Sequence, residues 1–203
     1  LVTDDREIYE RALIFHDGGC SFRDHAPNLQ ASMFAGWNFR INEILSAILR
    51  VQLTRLDGML EAMLTEKRLM IQALDGAGPF KFNPIHDVEG DCGTTVALLF
   101  ESTETMRAFL TGLQDKDVSA STPIDSGRHV YTNWEPVMQK HGAHHPAFDA
   151  FELADEPPTY DKTMCPVTLD VLARTAYLYT DPERSREGLD AMIETVKEVA
   201  AEL

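Results

Sequence analysis

Apolar residues recur at helical spacing along several stretches of this chain and crowd into short β-rich runs in its second half. Asp4 or Asp5 can cap a first helix that reaches about Phe15, and Asp17-Gly18-Gly19 ends it with turn residues. Residues 20–40 then form a long irregular stretch, which inside a compact domain points to a functional loop. Ile41, Ile44, Leu45, Ile48 and Val51 mark the buried stripe of a helix from about Ile41 to Arg55. A more charged helix follows from about Leu56 to Leu74, with a bend expected at Asp57-Gly58.

Gly76-Ala77-Gly78-Pro79 is a boundary, beyond which the pattern turns to strands. Phe80 to Phe82 reads as a short strand with Lys81 exposed. The run Thr94 to Phe100 reads as a sheet strand covered on both faces. Ser102 or Thr103 caps a helix with Met106, Phe109, Leu110 and Leu113 on its apolar face. Val118 to Ser121 and Thr175 to Tyr179 are further strands, separated by a connection rich in Pro and His. The last helix, from about Ser185, places Leu189, Met192, Ile193, Val196, Val199 and Ala200 on one face. Helices first, then strands mixed with covering helices, predict an α+β small domain preceded by the tail of an α/β domain, with the division near residues 54–58.

A net charge of −15 on 203 residues argues against nucleic acid and against an anionic membrane, whose phosphates would be repelled. No apolar run approaches membrane-spanning length, and the start carries neither a basic nor an apolar leader pattern. Cys20, Cys92 and Cys165 are odd in number and widely spaced, and read as reduced thiols of a cytoplasmic protein.

Candidate chemistry concentrates in two segments. In the first, Gly36 allows a sharp approach, and Asn38 and Arg40 offer amide and guanidinium donors suited to phosphate or carboxylate oxygens. The same residues also suit an Asn turn that caps its own backbone and a structural ion pair. In the second, Ser126 to Trp134, a Gly turn is joined by Arg128, His129, Tyr131 and Trp134, donors and ring faces that could line a sugar pocket. The other reading is a surface loop anchored by a packed Trp134. His141, His144, His145 and Asp149 carry ligand chemistry, but their spacing fits no metal motif, and no metal is expected. Asp170 and Arg174 form an i, i+4 pair of the surface kind, and Cys165 reads as a packed thiol. Of the lysines, Lys67 sits in a charged helical run and is expected to be solvated.

Asn38-Phe39-Arg40-Ile41, followed by Ser46-Ala47 and Gln52-Leu53, resembles the Asn-Tyr-Arg-Met segment and Ala-rich helix of the DegT/DnrJ/EryC1/StrS family of sugar aminotransferases. Leu1 to Asp5 with the helix from Glu7 to Leu13 resembles the strand end and helix that follow the family's cofactor lysine. Leu56-Asp57 and Lys67-Arg68, then Met164 to Tyr179 and Asp181-Pro182, resemble its later segments. The resemblance implies the second half of a fold-type-I enzyme using pyridoxal phosphate: residues 1–56 as the tail of the cofactor-binding large domain, and 57–203 as the α+β small domain. It implies a homodimer in which Asn38 reaches the cofactor phosphate of the partner subunit. Arg40, Arg128, His129 and Tyr131 would then lie on the substrate side. The family's reaction moves an amino group from glutamate or glutamine to a keto- or aldehyde-sugar, and some relatives act on acidic, octulosonate-type sugars. Arg128-His129 departs from the more usual family pattern, which leaves the acceptor open. The cofactor lysine is expected upstream of Leu1, so no catalytic residue is expected within the segment, which would be inactive alone. Two other readings stand beside this one: a non-catalytic binding or regulatory module that kept the small-domain fold, and a small enzyme with its own His/Arg site on residues 126–134.

Overall fold

In the computed structural model, which describes residues 2–19, 23–24, 26–127 and 129–203, the apolar run at the centre of the sequence forms strand β2, Thr95–Phe100. Cys20 and Arg128 lie outside the described residues. The chain divides into two compact units, one of Leu1–Ile48 with Ser126–Pro166 and the other of Leu49–Asp125 with Val167–Leu203. Residues 126–166 therefore group with the N-terminal segment, where a single division at 56/57 would have joined them to the sheet.

The second unit is built on a four-stranded antiparallel sheet of order β1-β2-β4-β3, with β1 Phe80–Phe82, β3 Ala120–Ser121 and β4 Thr175–Tyr179. Val96 pairs with Leu178 and Leu98 with Ala176, so the alternating side chains of the two central strands share one face. Val96, Leu98 and Phe100 are buried while Thr95, Ala97 and Leu99 are only half-buried, which corrects the expectation of a strand covered on both faces. The covering layer lies on one side: helix α3, Leu56–Leu74, contributes Met70 and Leu74; α4, Thr103–Asp115, contributes Met106, Phe109 and Leu113; and α8, Arg186–Ala201, which follows the short helices α5 Glu135–Met138, α6 Ala150–Leu153 and α7 Pro166–Ala173 in the chain, contributes Leu189, Ile193, Val196 and Val199. Each such side chain taken out of water is worth about 1.5–3 kcal/mol. Phe80, Phe100 and Phe109 meet ring to ring at 5.1–6.0 Å.

Local caps fix where these helices begin. Ser102 Oγ accepts the Thr105 amide at the start of α4, and Ser185 Oγ accepts the Gly188 amide at the start of α8. Glu66, buried on α3, accepts the Asp181 amide at 3.0 Å and pairs with Arg184, tying α3 to the turn before α8. The break ahead of α3 falls at Thr54-Arg55, not at Asp57-Gly58, which lie in its first turn. There the Thr54 hydroxyl donates to the Val51 carbonyl at 2.7 Å, and the Thr54 and Arg55 amides tighten to the residues three before them.

Helix α2, Glu43–Leu53, has no buried residue. Ile44, Ile48, Val51 and Leu53 are each more than half exposed, so the stripe expected to be buried is an apolar surface. Among the described residues, no helix is long and apolar enough to cross a membrane. Phe109→Ala, which removes the ring at the centre of the aromatic cluster, is expected to lower the unfolding free energy by about 3–5 kcal/mol, read as a lower urea midpoint at unchanged m-value.

Candidate functional site

The first unit begins with α1, Arg6–His16, whose N-terminus is capped by Asp5 Oδ1 accepting the Ile8 amide at 3.1 Å. The helix ends at Asp17, and Gly18 and Gly19 follow at φ 62° and 93°, left-handed positions that glycine adopts without strain. Onto this end the segment 36–40 is laid antiparallel. The Trp37 amide donates to Phe15 O (2.7 Å), the Gly18 amide to Trp37 O (2.9 Å) and the Phe39 amide to His16 O (3.0 Å), and Asp17 faces Asn38. Gly36 enters this pairing where a Cβ would stand 2.4 Å from Ile14 O and 2.8 Å from Phe15 O, both backbone atoms. Only glycine fits there. Ile14, Met33, Phe34 and Ala26 form the small core beneath.

Glu10, buried in the middle of α1, holds the loop at residues 30–31: its Oε2 accepts the Gln30 and Ala31 amides at 2.8 Å each, and its Oε1 accepts Arg6 Nε at 2.7 Å. The Ala31 amide, then the Arg6 guanidinium, keep the Glu10 carboxyl below its ordinary pKa.

Asn38 is exposed at the centre of this arrangement. Its Oδ1 accepts Arg40 Nε at 2.9 Å, and the same Nε lies 2.8 Å from Asp17 Oδ1. Asp17, only 7% exposed at its side chain, also accepts Arg23 Nε at 2.6 Å and Arg23 Nη2 at 2.9 Å. Because a guanidinium only donates, it is the oxygen of the Asn38 amide that faces Arg40, and the Nδ2 donor is turned away from it. Flanking Asn38, Trp37 and Phe39 stack at 6.3 Å and are 65% and 57% exposed. Arg40 thus combines the structural ion pair with a place beside Asn38. Asp17 was legible in sequence only as a turn residue, yet a carboxylate at the C-terminal end of a helix opposes the helix dipole and signals an outside partner.

The segment 126–134 is organised differently. His129 is exposed, its amide donating to Ser126 Oγ at 3.0 Å, while Val130 is buried and Trp134 is 44% exposed. The Tyr131 hydroxyl donates to Lys162 O at 2.9 Å and accepts the Cys165 amide at 3.3 Å, so it fastens the 162–165 turn. Of the imidazoles beyond, His144 meets the Phe15 ring edge-on at 4.8 Å and His145 Nδ1 accepts the Ala147 amide, while His141 Nδ1 is buried without a hydrogen-bond partner among the described residues. Asp149 accepts the Gly142, Ala143 and Phe151 amides. Among the described residues, no group of three His, Cys, Asp or Glu side chains could hold a metal ion. Lys67, expected to be solvated, is 12% exposed and paired with Asp91 of the second unit, whose carboxyl Lys67 holds below its ordinary pKa.

The sequence model of the DegT/DnrJ/EryC1/StrS aminotransferase family matches residues 1–197. The chain belongs to this family. Among solved structures, 3-amino-5-hydroxybenzoic acid synthase superimposes at TM-score 0.55 with 18% identity, over 98% of this chain and 48% of that one. A DegT/DnrJ/EryC1/StrS aminotransferase from Brucella abortus does so at 0.53 with 17% identity, over 98% and 45%. The E. coli GDP-4-keto-6-deoxy-D-mannose-3-dehydratase, a structure with hydrated PLP bound, matches at 0.52 with 13% identity, over 96% and 49%. At these identities the likeness establishes the fold, and the chain spans about half the length of these structures.

The donor set at Asn38 fits a phosphate. A neutral amide whose oxygen is already committed to Arg40 keeps its N–H for another acceptor. Gly36→Ala is expected to displace the 36–40 segment and lower the melting temperature, since the clashing atoms are backbone; a crystal structure with the segment unmoved would contradict this. Glu10 gives a pH dependence. Its folded pKa is depressed, so its contribution is complete above the ordinary glutamate value of 4.5 and is lost as pH falls through the folded value. Protection factors of the Gln30 and Ala31 amides should fall on acidification below that value, and should be low already at neutral pH in Glu10→Gln.

Proposed function

We propose that this chain is the C-terminal portion of a pyridoxal-phosphate-dependent aminotransferase that moves an amino group from glutamate or glutamine to a keto- or aldehyde-sugar, an acidic octulosonate-type sugar among the acceptors. The enzyme works as a cytoplasmic homodimer with shared sites in the supply of sugars for cell-surface polysaccharide. The observation that carries this reading is the exposed, oxygen-committed amide of Asn38 on a Gly36-dependent loop, in a chain of this family.

Bound pyridoxal phosphate supplies the electron sink on which amino transfer depends. The residues of this chain do the holding. Asn38 Nδ2–H donates to a phosphate oxygen of the cofactor seated in the partner subunit, adding a directional bond without adding a charge. Arg40, Arg128, His129 and Tyr131 stand on the substrate side, where guanidinium and imidazole groups suit phosphate or carboxylate oxygens of a sugar substrate. Four of the six lysines have structural or surface surroundings: Lys67 is paired with Asp91, Lys116 with Glu198 and Lys197 with Glu194, and Lys81 is exposed on β1.

A hydrogen bond to a charged group is worth about 1.5–3 kcal/mol, so Asn38→Ala in the complete gene product should weaken pyridoxal phosphate binding by ~10-fold or more. Absorbance titration of the apo protein reads this directly. Unchanged affinity would remove Asn38 from the cofactor site and the reading with it.

A further inference from the structure

We infer that Asp17 is a positioning residue of the Asn38 site, acting through Arg40 to fix the direction in which the Asn38 amide donates; this rests on the reading of Asn38 as a phosphate donor. Asp17 touches neither cofactor nor substrate in this arrangement.

Three observations converge on it. Asp17 sits at the C-terminal end of α1, where the helix dipole disfavours a carboxylate, so its charge serves something other than its own helix. Its side chain is 7% exposed, takes two charge-assisted hydrogen bonds from Arg23, and forms an ion pair with Arg40, whose Nε lies 2.8 Å from Oδ1. The Nε–H of the paired Arg40 donates to Asn38 Oδ1 at 2.9 Å, and the Arg40 amide approaches that oxygen at 3.4 Å. An asparagine side chain can present either end of its amide to an external anion. Only the N–H end binds one, and the oxygen end repels it. With the Arg40 guanidinium anchored by Asp17, the oxygen is held inward and the wrong orientation is disfavoured before any ligand arrives. Without Asp17, Arg40 is free to swing onto an anion itself, and Asn38 loses the donor that sets its orientation. Preorganisation of this kind is expressed as affinity at the site.

A purely structural Asp17 would stabilise the loop but would have no special dependence on Asn38, and a double-mutant cycle separates the two roles. The apo form of the complete gene product is titrated with pyridoxal phosphate, followed by absorbance, for the wild type, Asp17→Asn, Asn38→Ala and the double variant, with melting temperatures recorded in parallel. Asp17→Asn is expected to weaken binding roughly tenfold in the wild-type background and to have no further effect once Asn38 is alanine. Arg40→Ala, at a side chain 43% exposed, carries the same test if Asp17→Asn fails to fold: it should also weaken binding only when Asn38 is present. Wild-type affinity in Asp17→Asn, or an equal loss with and without the Asn38 side chain, would overturn the inference while leaving the Asn38 reading intact. Wild-type affinity in Asn38→Ala would instead remove that reading, and this inference with it.

Discussion

Three backbone hydrogen bonds between residues 15–18 and 37–39 hold the candidate site, and they form only because nothing projects from Gly36. The constraint is steric before it is electrostatic. A methyl group at that position would overlap the last carbonyls of α1, so the loop that carries Asn38 would have to leave the helix end. Once the strands of this short pairing are in place, the side chains of Asp17, Asn38 and Arg40 have little choice of partner. Glu10 performs the same task one turn earlier, where its carboxylate replaces water for two loop amides that would otherwise be unpaired. The loop is irregular in secondary structure but well determined by its bonds.

The second unit holds together by a different principle. Its core is one face of a small antiparallel sheet under three helices, an apolar layer in which Phe80, Phe100 and Phe109 interlock. Polar groups enter that layer only when paired. Glu66 is buried because the Arg184 guanidinium and the Asp181 amide are delivered to it, and losing either partner would leave a buried charge under-satisfied.

Apolar surface remains on α2 and on the ring pair Trp37–Phe39 ahead of it. A helix this apolar is not stabilised by facing water, and a stripe of exposed Ile, Leu and Val next to stacked aromatic rings has the character of an interaction surface. The chain spans about half the length of the solved structures it matches. In the proposed homodimer, Asn38 and this surface lie on the same short stretch of chain, so covering the one would deliver the other.

What could be read from the amino acids alone was whatever depends on near neighbours. Asp5, Ser102 and Ser185 cap helices through bonds that span three residues, and β4 and α8 fall where alternation and helical spacing put them. The family resemblance was likewise carried by contiguous residues, Asn38 to Ile41, and the family model spans 1–197. Tertiary structure decided what rests on distant partners. It brought Asp91 to Lys67 and turned a surface lysine into a largely buried one. It spent the Tyr131 hydroxyl on Lys162 and Cys165, grouped residues 126–166 with α1, and made Asp17 the anchor of Arg40. Spacing along a chain fixes which side chains share a helix face or a strand edge. It does not fix which loop returns to meet them, because that depends on the path the backbone takes through the rest of the fold.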